Sequence, residues 1–160
     1  LTCPQSLCPI PLGHDPITVI HSGSASGPLV GGCLSLLVSL LGTPYMPSLE
    51  GALLFLEDIG EAPYRIDRML NQLRLAGVFS QINGLILGQF KDCFTPEHDS
   101  SSPQIEELIT LWNKDLDIPI IAGIPYGHFK RRLVLPIGIQ AQLDTQPPAL
   151  TLQEPALAAQ

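Results

Sequence analysis

The 160-residue sequence predicts an α/β domain, with a mixed sheet or partly closed barrel and helices packed outside it. Three observations carry this expectation. Ala52 to Leu56 are five consecutive apolar residues, the pattern of a strand covered on both faces, and they run into Glu57-Asp58 and then an Arg-bearing amphipathic stretch. A second run, Ile118 to Ala122, follows another helical pattern. From Arg132 onward, short apolar runs and apolar–Gln alternation surround turn residues, which signals hairpins rather than helices.

Residues 1–16 carry Pro4, Pro9, Pro11 and Pro16 without periodicity and read as a linker or the remnant of a missing N-terminal domain. The folded unit is expected to begin near residue 17 and to reach 152, with 153–160 as a tail. Ile17 to Ile20 reads as a strand. Ser22 to Gly32 is a Gly/Ser stretch whose first part, to Gly27, reads as a flexible turn. Cys33 to Leu41, with leucines at 34, 37, 40 and 41, fits a helix buried on one face and closed by Gly42.

The second helix is expected to start at Pro63, a residue suited to the first turn, with Glu61 just upstream where negative charge favours the helix N-terminus. Ile66, Met69, Leu70, Leu73 and Ala76 form its core stripe and Gly77 ends it. Gly84 to Gly88 reads as a short strand and Phe94 to Pro103 as a polar loop. A third helix is expected from about Gln104 to Leu116, with Ile105, Leu108, Ile109 and Trp112 on one side. Leu133 to Leu152 then supplies antiparallel strands.

A hydrophobic share of 45% is enough for one sizeable core, and the length argues for a single domain. A net charge of −7 disfavours nucleic acid, because the one basic cluster, Lys130-Arg131-Arg132, is short and reads as solvated loop. The most apolar run, Gly32 to Gly42, contains Ser35 and Ser39 and has about half the length of a membrane span. Cys3, Cys8, Cys33 and Cys93 have neither metal-site spacing nor the density of a disulfide scaffold, so reduced cytosolic thiols are expected. No secretory leader pattern opens the chain, and its start reads as cut from something longer.

Two carboxylates at a strand end make Glu57 and Asp58 candidates for chemistry. Of the histidines, His14, His21 and His98 lie in linker or loops, whereas His128 follows Gly127 where a strand gives way to loop. A carboxylate bonded to one ring nitrogen fixes the imidazole tautomer and stabilises the imidazolium, so Glu57 could serve His128 as a general base; a hydrogen-bonded turn histidine is the plainer reading. Ser22 to Gly27 lacks the Gly-x-Ser-x-Gly order of a nucleophile elbow, because Ala25 stands at the serine's place. Cys33 fits a small apolar helix-start residue better than a nucleophile. Gly31-Gly32 could serve an anion or close backbone packing. Arg65 and Arg68 could clamp a carboxylate, but ion pairing to Glu61 or Asp67 suffices. Metal binding finds no support.

Gly31-Gly32-x-Leu34, Leu41 to Tyr45, Leu54 to Asp58, Gly60 to Arg68, Leu73 to Gly77, Gly127-His128 and Leu135-Pro136-x-Gly138 occur in this order. With them the chain resembles the C-terminal domain of the LD-carboxypeptidases, over about residues 27 to 152. That family of serine peptidases includes muramoyltetrapeptide carboxypeptidase and the microcin-immunity peptidases. The resemblance implies a swivelling β/β/α-type domain and a Ser-His-Glu triad, in which Glu57 orients His128 and His128 takes a proton from a serine. That serine would lie in a separate N-terminal domain, in a Gly-x-Ser-Asp turn that this chain lacks. It further implies release of a terminal D-amino acid from murein tetrapeptides in cytoplasmic cell-wall recycling, by a homodimer; no metal, organic cofactor, nucleic acid or membrane partner is expected. Without the serine, the chain alone is expected to be inactive. The alternatives are an immunity-type peptidase acting on an aminoacyl-nucleotide-like antibiotic and a non-catalytic binding module. Cys33 departs from the family's usual Asn after Gly-Gly.

Overall fold

A computed structural model describes residues 8–12, 16–94, 105–112, 116–128 and 133–156. Its strands are β1 (Cys8–Ile10), β2 (Thr18–His21), β3 (Ser24–Cys33), β4 (Leu53–Ile59), β5 (Gly84–Lys91), β6 (Ile120–Ala122), β7 (Gln140–Thr145) and β8 (Pro148–Leu152). Its helices are α1 (Leu34–Ser39), α2 (Pro63–Leu75) and α3 (Ile105–Trp112). The strands form one eight-stranded mixed sheet in the order β1-β8-β7-β3-β4-β5-β6-β2. β3 to β6 are parallel neighbours, and the outer strands join antiparallel on either side.

The parallel part is three successive strand–helix–strand units, and right-handed crossovers between adjacent strands put their helices on one face. Two cores result. Leu54 and Leu56 of β4 face the helices and pack with Ile66, Leu70 and Leu73 of α2, while Leu53 and Phe55 point the other way to Ile86, Ile121, Leu143 and Leu150. β4 thus reads as an unbroken apolar run because both of its faces are covered. Each fully buried leucine here contributes on the order of 1.5–3 kcal/mol relative to exposure.

The second core needs the sheet to curl, and chain connectivity requires the same. β1 and β2 sit at opposite edges, yet only residues 11–17 separate them. A flat sheet of eight strands would hold its edges roughly 34 Å apart, whereas that connection reaches at most about 28 Å when fully extended. The sheet closes into a half-barrel, with Ile10, Leu12 and Ile17 packed on the inner core.

Several elements differ from expectation. Ser24 to Gly27, within the stretch read as a flexible turn, instead begin the ten-residue strand β3, which runs on to Cys33. Its glycine content answers to close packing: a Cβ on Gly31 would lie 1.8 Å from the Phe55 carbonyl oxygen, so the pair β3·β4 can approach only without a side chain there. The segment read as linker includes β1, which pairs with β8. Ala76 is exposed at the C-cap of α2 instead of lying in its stripe. β5 runs three residues beyond Gly88, to Lys91, and β6 is confined to Ile120–Ala122. Pro63 begins α2 as expected. Leu116 lies outside helix, and the Trp112 side chain, His14, His98, Cys3, most of the Phe94 to Pro103 loop and the Lys130-Arg131-Arg132 cluster lie outside the described residues.

Candidate active site

Alternation along β4 sends its two terminal acids to opposite faces. Glu57 continues the inner-core side of Leu53 and Phe55, and Asp58 the helical side of Leu54 and Leu56. Both are buried, at 4% and 2% exposure, so each needs compensating partners. Asp58 accepts hydrogen bonds from the backbone N–H of Ser35 at 2.9 Å and of Ile59 at 2.8 Å, with the Cys33 thiol at 3.5 Å. It thereby caps α1, whose own N-cap residue Cys33 offers no side-chain cap. Asp58 is accounted for as a structural group.

Glu57 finds a different partner. Its Oε2 lies 2.7 Å from Nδ1 of His128, across 71 residues of sequence. The carboxylate side chain is 5% exposed and the imidazole 49%, so the acid is sheltered while the ring opens to solvent. A register shift in β4·β5 makes room: Leu56 pairs with Leu87 but Asp58 with Phe90, leaving Gly88 and Gln89 opposite Glu57 as a bulge. A Cβ on Gly88 would come within 2.5 Å of the Tyr126 carbonyl oxygen and 3.2 Å of the Glu57 Cβ. The loop that carries His128 is pinned by the Gln89 N–H donating to the Tyr126 carbonyl at 2.8 Å and by the Gln89 amide donating to the Gly123 carbonyl at 3.2 Å. An edge-to-face contact of Tyr126 on Phe55, 4.9 Å between centroids, adds a third restraint.

Because a carboxylate only accepts, the hydrogen bond at this contact is donated by the Nδ1–H of the ring, and the ring's other nitrogen is not engaged by Glu57. Among the described residues no hydroxyl or thiol hydrogen-bonds to that ring. The Tyr126 hydroxyl is held above the usual tyrosine range, by burial first, then by the negative charge of Glu57 and by Cys33. Acid, ring and phenol therefore share one partly enclosed corner at the C-terminal ends of the parallel strands, the end at which open α/β sheets present ligand sites.

The other sequence candidates are placed apart from this corner or in structural roles. Arg65 pairs with Glu61 at 3.3 Å on the exposed face of α2, and Arg68 is exposed. Ser24 and Ser26 hydrogen-bond to Asp144 and Gln142 on the solvated face of β7. His21 lies in β2 and Cys33 beside Asp58, and among the described residues no cluster of three or more potential metal ligands occurs. Sequence reasoning missed Gly88, Gln89 and Tyr126. The signal for Gly88 was a glycine inside a strand pattern, which marks a bulge or a close approach; Gln89 carried none.

A model of the LD-carboxypeptidase C-terminal domain matches residues 26–143. The chain belongs to the LD-carboxypeptidase family. It is 40% identical over 130 residues to a probable murein peptide carboxypeptidase of Bacillus subtilis, covering 81% of this chain and 40% of that protein. It is 31% identical over 126 residues to the microcin C7 self-immunity protein of Escherichia coli, covering 77% of this chain and 35% of that one. A muramoyltetrapeptide carboxypeptidase from Oxalobacter formigenes superposes with a TM-score of 0.73 at 33% identity, over 87% of this chain and 50% of its own. This LD-carboxypeptidase chain spans half or less of the length of these relatives, and among its described residues no helix is long and apolar enough to cross a membrane.

Proposed function

We propose that this chain supplies the acid and the base of a serine LD-carboxypeptidase that releases a terminal D-amino acid from murein tetrapeptides. The observation that carries the reading is the 2.7 Å contact between the sheltered Glu57 carboxylate and the half-exposed His128 ring. In this reading Nε2 of His128 takes the proton of a serine hydroxyl as that oxygen attacks the carbonyl of the terminal peptide bond, and Glu57 stabilises the imidazolium that forms. The imidazolium then protonates the leaving amine of the D-amino acid, and water admitted to the same base resolves the acyl-enzyme.

The serine belongs to a nucleophile-bearing N-terminal half, which pairs with this chain as its partner; the assembly works as a cytoplasmic homodimer. Without that half, the chain is inactive. The test is complementation. The purified 160-residue chain is assayed for D-alanine release from murein tetrapeptide, alone and mixed with a separately produced nucleophile-bearing half of a family member. Hydrolysis is expected only in the mixture, and only with His128 intact. Release by the chain alone, or by a mixture carrying His128→Ala, would contradict the assignment.

A further inference from the structure

The outer edge of β3 is a feature that the dyad leaves unused. β3 pairs with β7 only as far as Pro28 opposite Gln140. The loop before β7 adds two bonds at Leu29, which donates to the Ile139 carbonyl at 2.9 Å and accepts from Gly138 N–H at 2.8 Å. Beyond Leu29, among the described residues, no strand or loop backbone is bonded along that edge, while the opposite edge stays paired with β4 as far as Cys33 opposite Glu57. An open strand edge is a ladder of donors and acceptors at fixed spacing, and adding an extended peptide to such an edge is a recurrent mode of recognition.

The surroundings suit a main chain. A cleft of about 300 Å³ runs along residues 30–33, walled by Leu36 of α1 and Leu40 just after it on one side and by Pro47 and Ile137 elsewhere. Leu36 and Ile137 are 67% and 68% exposed, apolar rims left facing water. Gly32, at φ +144°, has open space where a side chain would project, so another backbone can come to contact distance there. The edge also leads to the chemistry, because its last residue, Cys33, lines the cleft and lies in register with Glu57.

Resting on the carboxypeptidase reading, we propose that the β3 edge from Gly31 to Cys33 is a peptide subsite that takes the main chain of the substrate as an added strand. Recognition through backbone groups sets the direction and register of the peptide and leaves its side chains to the apolar walls. It delivers the end of the peptide toward the dyad.

Amide hydrogen exchange, read by NMR on the 160-residue chain, tests this with millimolar murein tetrapeptide ending in D-alanine and with the same peptide N-methylated along its backbone. The tetrapeptide is expected to slow exchange at Gly31 and Cys33 by about tenfold or more, and the N-methylated peptide to have no effect. Leu36→Trp and Ile137→Trp, which fill the cleft from two exposed positions, should each weaken the protection. Shifts at the His128 ring with unchanged exchange at Gly31 and Cys33 would overturn the subsite and leave the carboxypeptidase reading standing. Protection by an added nucleophile-bearing half without peptide would also overturn it, making the edge an interface between halves. No response at any residue overturns it as well, and complementation then judges the carboxypeptidase reading separately.

Discussion

Gly127 stands so close to Glu57 that a methyl group added at 127 would lie 2.8 Å from Oε2, the same carboxylate oxygen that holds His128 Nδ1 at 2.7 Å. One oxygen therefore meets both the glycine and the histidine of the Gly-His pair. With φ at +128°, Gly127 also occupies backbone space that L side chains rarely adopt. The glycine is the clearance that lets the ring reach the acid.

Gly127→Ala should consequently separate the dyad without dismantling the half-barrel. The strained backbone costs on the order of 1–3 kcal/mol, visible as a lower urea midpoint. The displaced carboxylate costs more in chemistry, with D-alanine release by the complemented enzyme falling about 10²–10⁴-fold, the usual contribution of a positioned base. The low-field Nδ1 proton of His128 should vanish from the NMR spectrum. Full activity in this variant would show that the close contact has no consequence.

Tyr126 reports on the charge of its neighbour. Its phenol is held above the usual tyrosine range by burial, then by Glu57, then by Cys33. Raising a tyrosine pKa means that the neutral form is favoured, and an adjacent negative charge does this by opposing phenolate formation. Glu57→Gln should therefore lower the titration midpoint of Tyr126 part of the way, with burial keeping the rest. Ultraviolet difference titration against Tyr126→Phe isolates this residue, and an unmoved or rising midpoint would mean that Glu57 carries no charge near it.

Sequence patterning revealed the parallel half of the sheet because β4 is covered on both faces and α2 carries its start signal in Pro63. The Glu57–His128 contact could be conjectured from chemistry and from motif resemblance, but its geometry depends on the Gly88–Gln89 bulge, which arises from pairing between strands and has no local signature at Gln89. β3 was hidden for a related reason. Glycines that permit backbone contact, as at Gly31 against Phe55, look in sequence like glycines that permit bending. β1 lay beyond local reading because three residues become a strand only when β8 offers an edge.

Asp58 is expected to matter for stability and not for the dyad. Asp58→Ala leaves the Ser35 and Ile59 N–H groups without their carboxylate and unties the start of α1 from β4. A loss of about 2–3 kcal/mol follows from orphaned donors and a lost cap. Asp58→Asn, which keeps one acceptor, should lose about half of that. Urea denaturation gives both values, and the His128 Nδ1 proton should persist in each. Its disappearance in Asp58→Asn would place Asp58 in the machinery that aligns the ring.

Cys93 gives the fold a dependence on alkaline pH whose sign can be worked out. The residue is fully buried in the core between sheet and helices, and its Sγ lies 3.4 Å from the Lys91 carbonyl. Burial pushes the thiol up from 9.0 to about 11, with the charges of Asp58 and Glu61 acting in the same direction. The folded state thus keeps a proton that the unfolded chain gives up once the pH passes 9. Stability from this group is complete below pH 9 and declines as pH rises toward 11, because the folded state then binds more protons than the unfolded one. A decline on the order of 1–2 kcal/mol is expected across that window. Urea midpoints at several pH values, with Cys93→Ala as the baseline, extract the contribution from the titration of tyrosines and lysines. A thiol reagent at pH 8 should modify the partly exposed Cys33 long before Cys93, which becomes reactive on unfolding. Parallel pH profiles for the two proteins, or early labelling at Cys93, would show that the sulfur is not shielded as the packing describes.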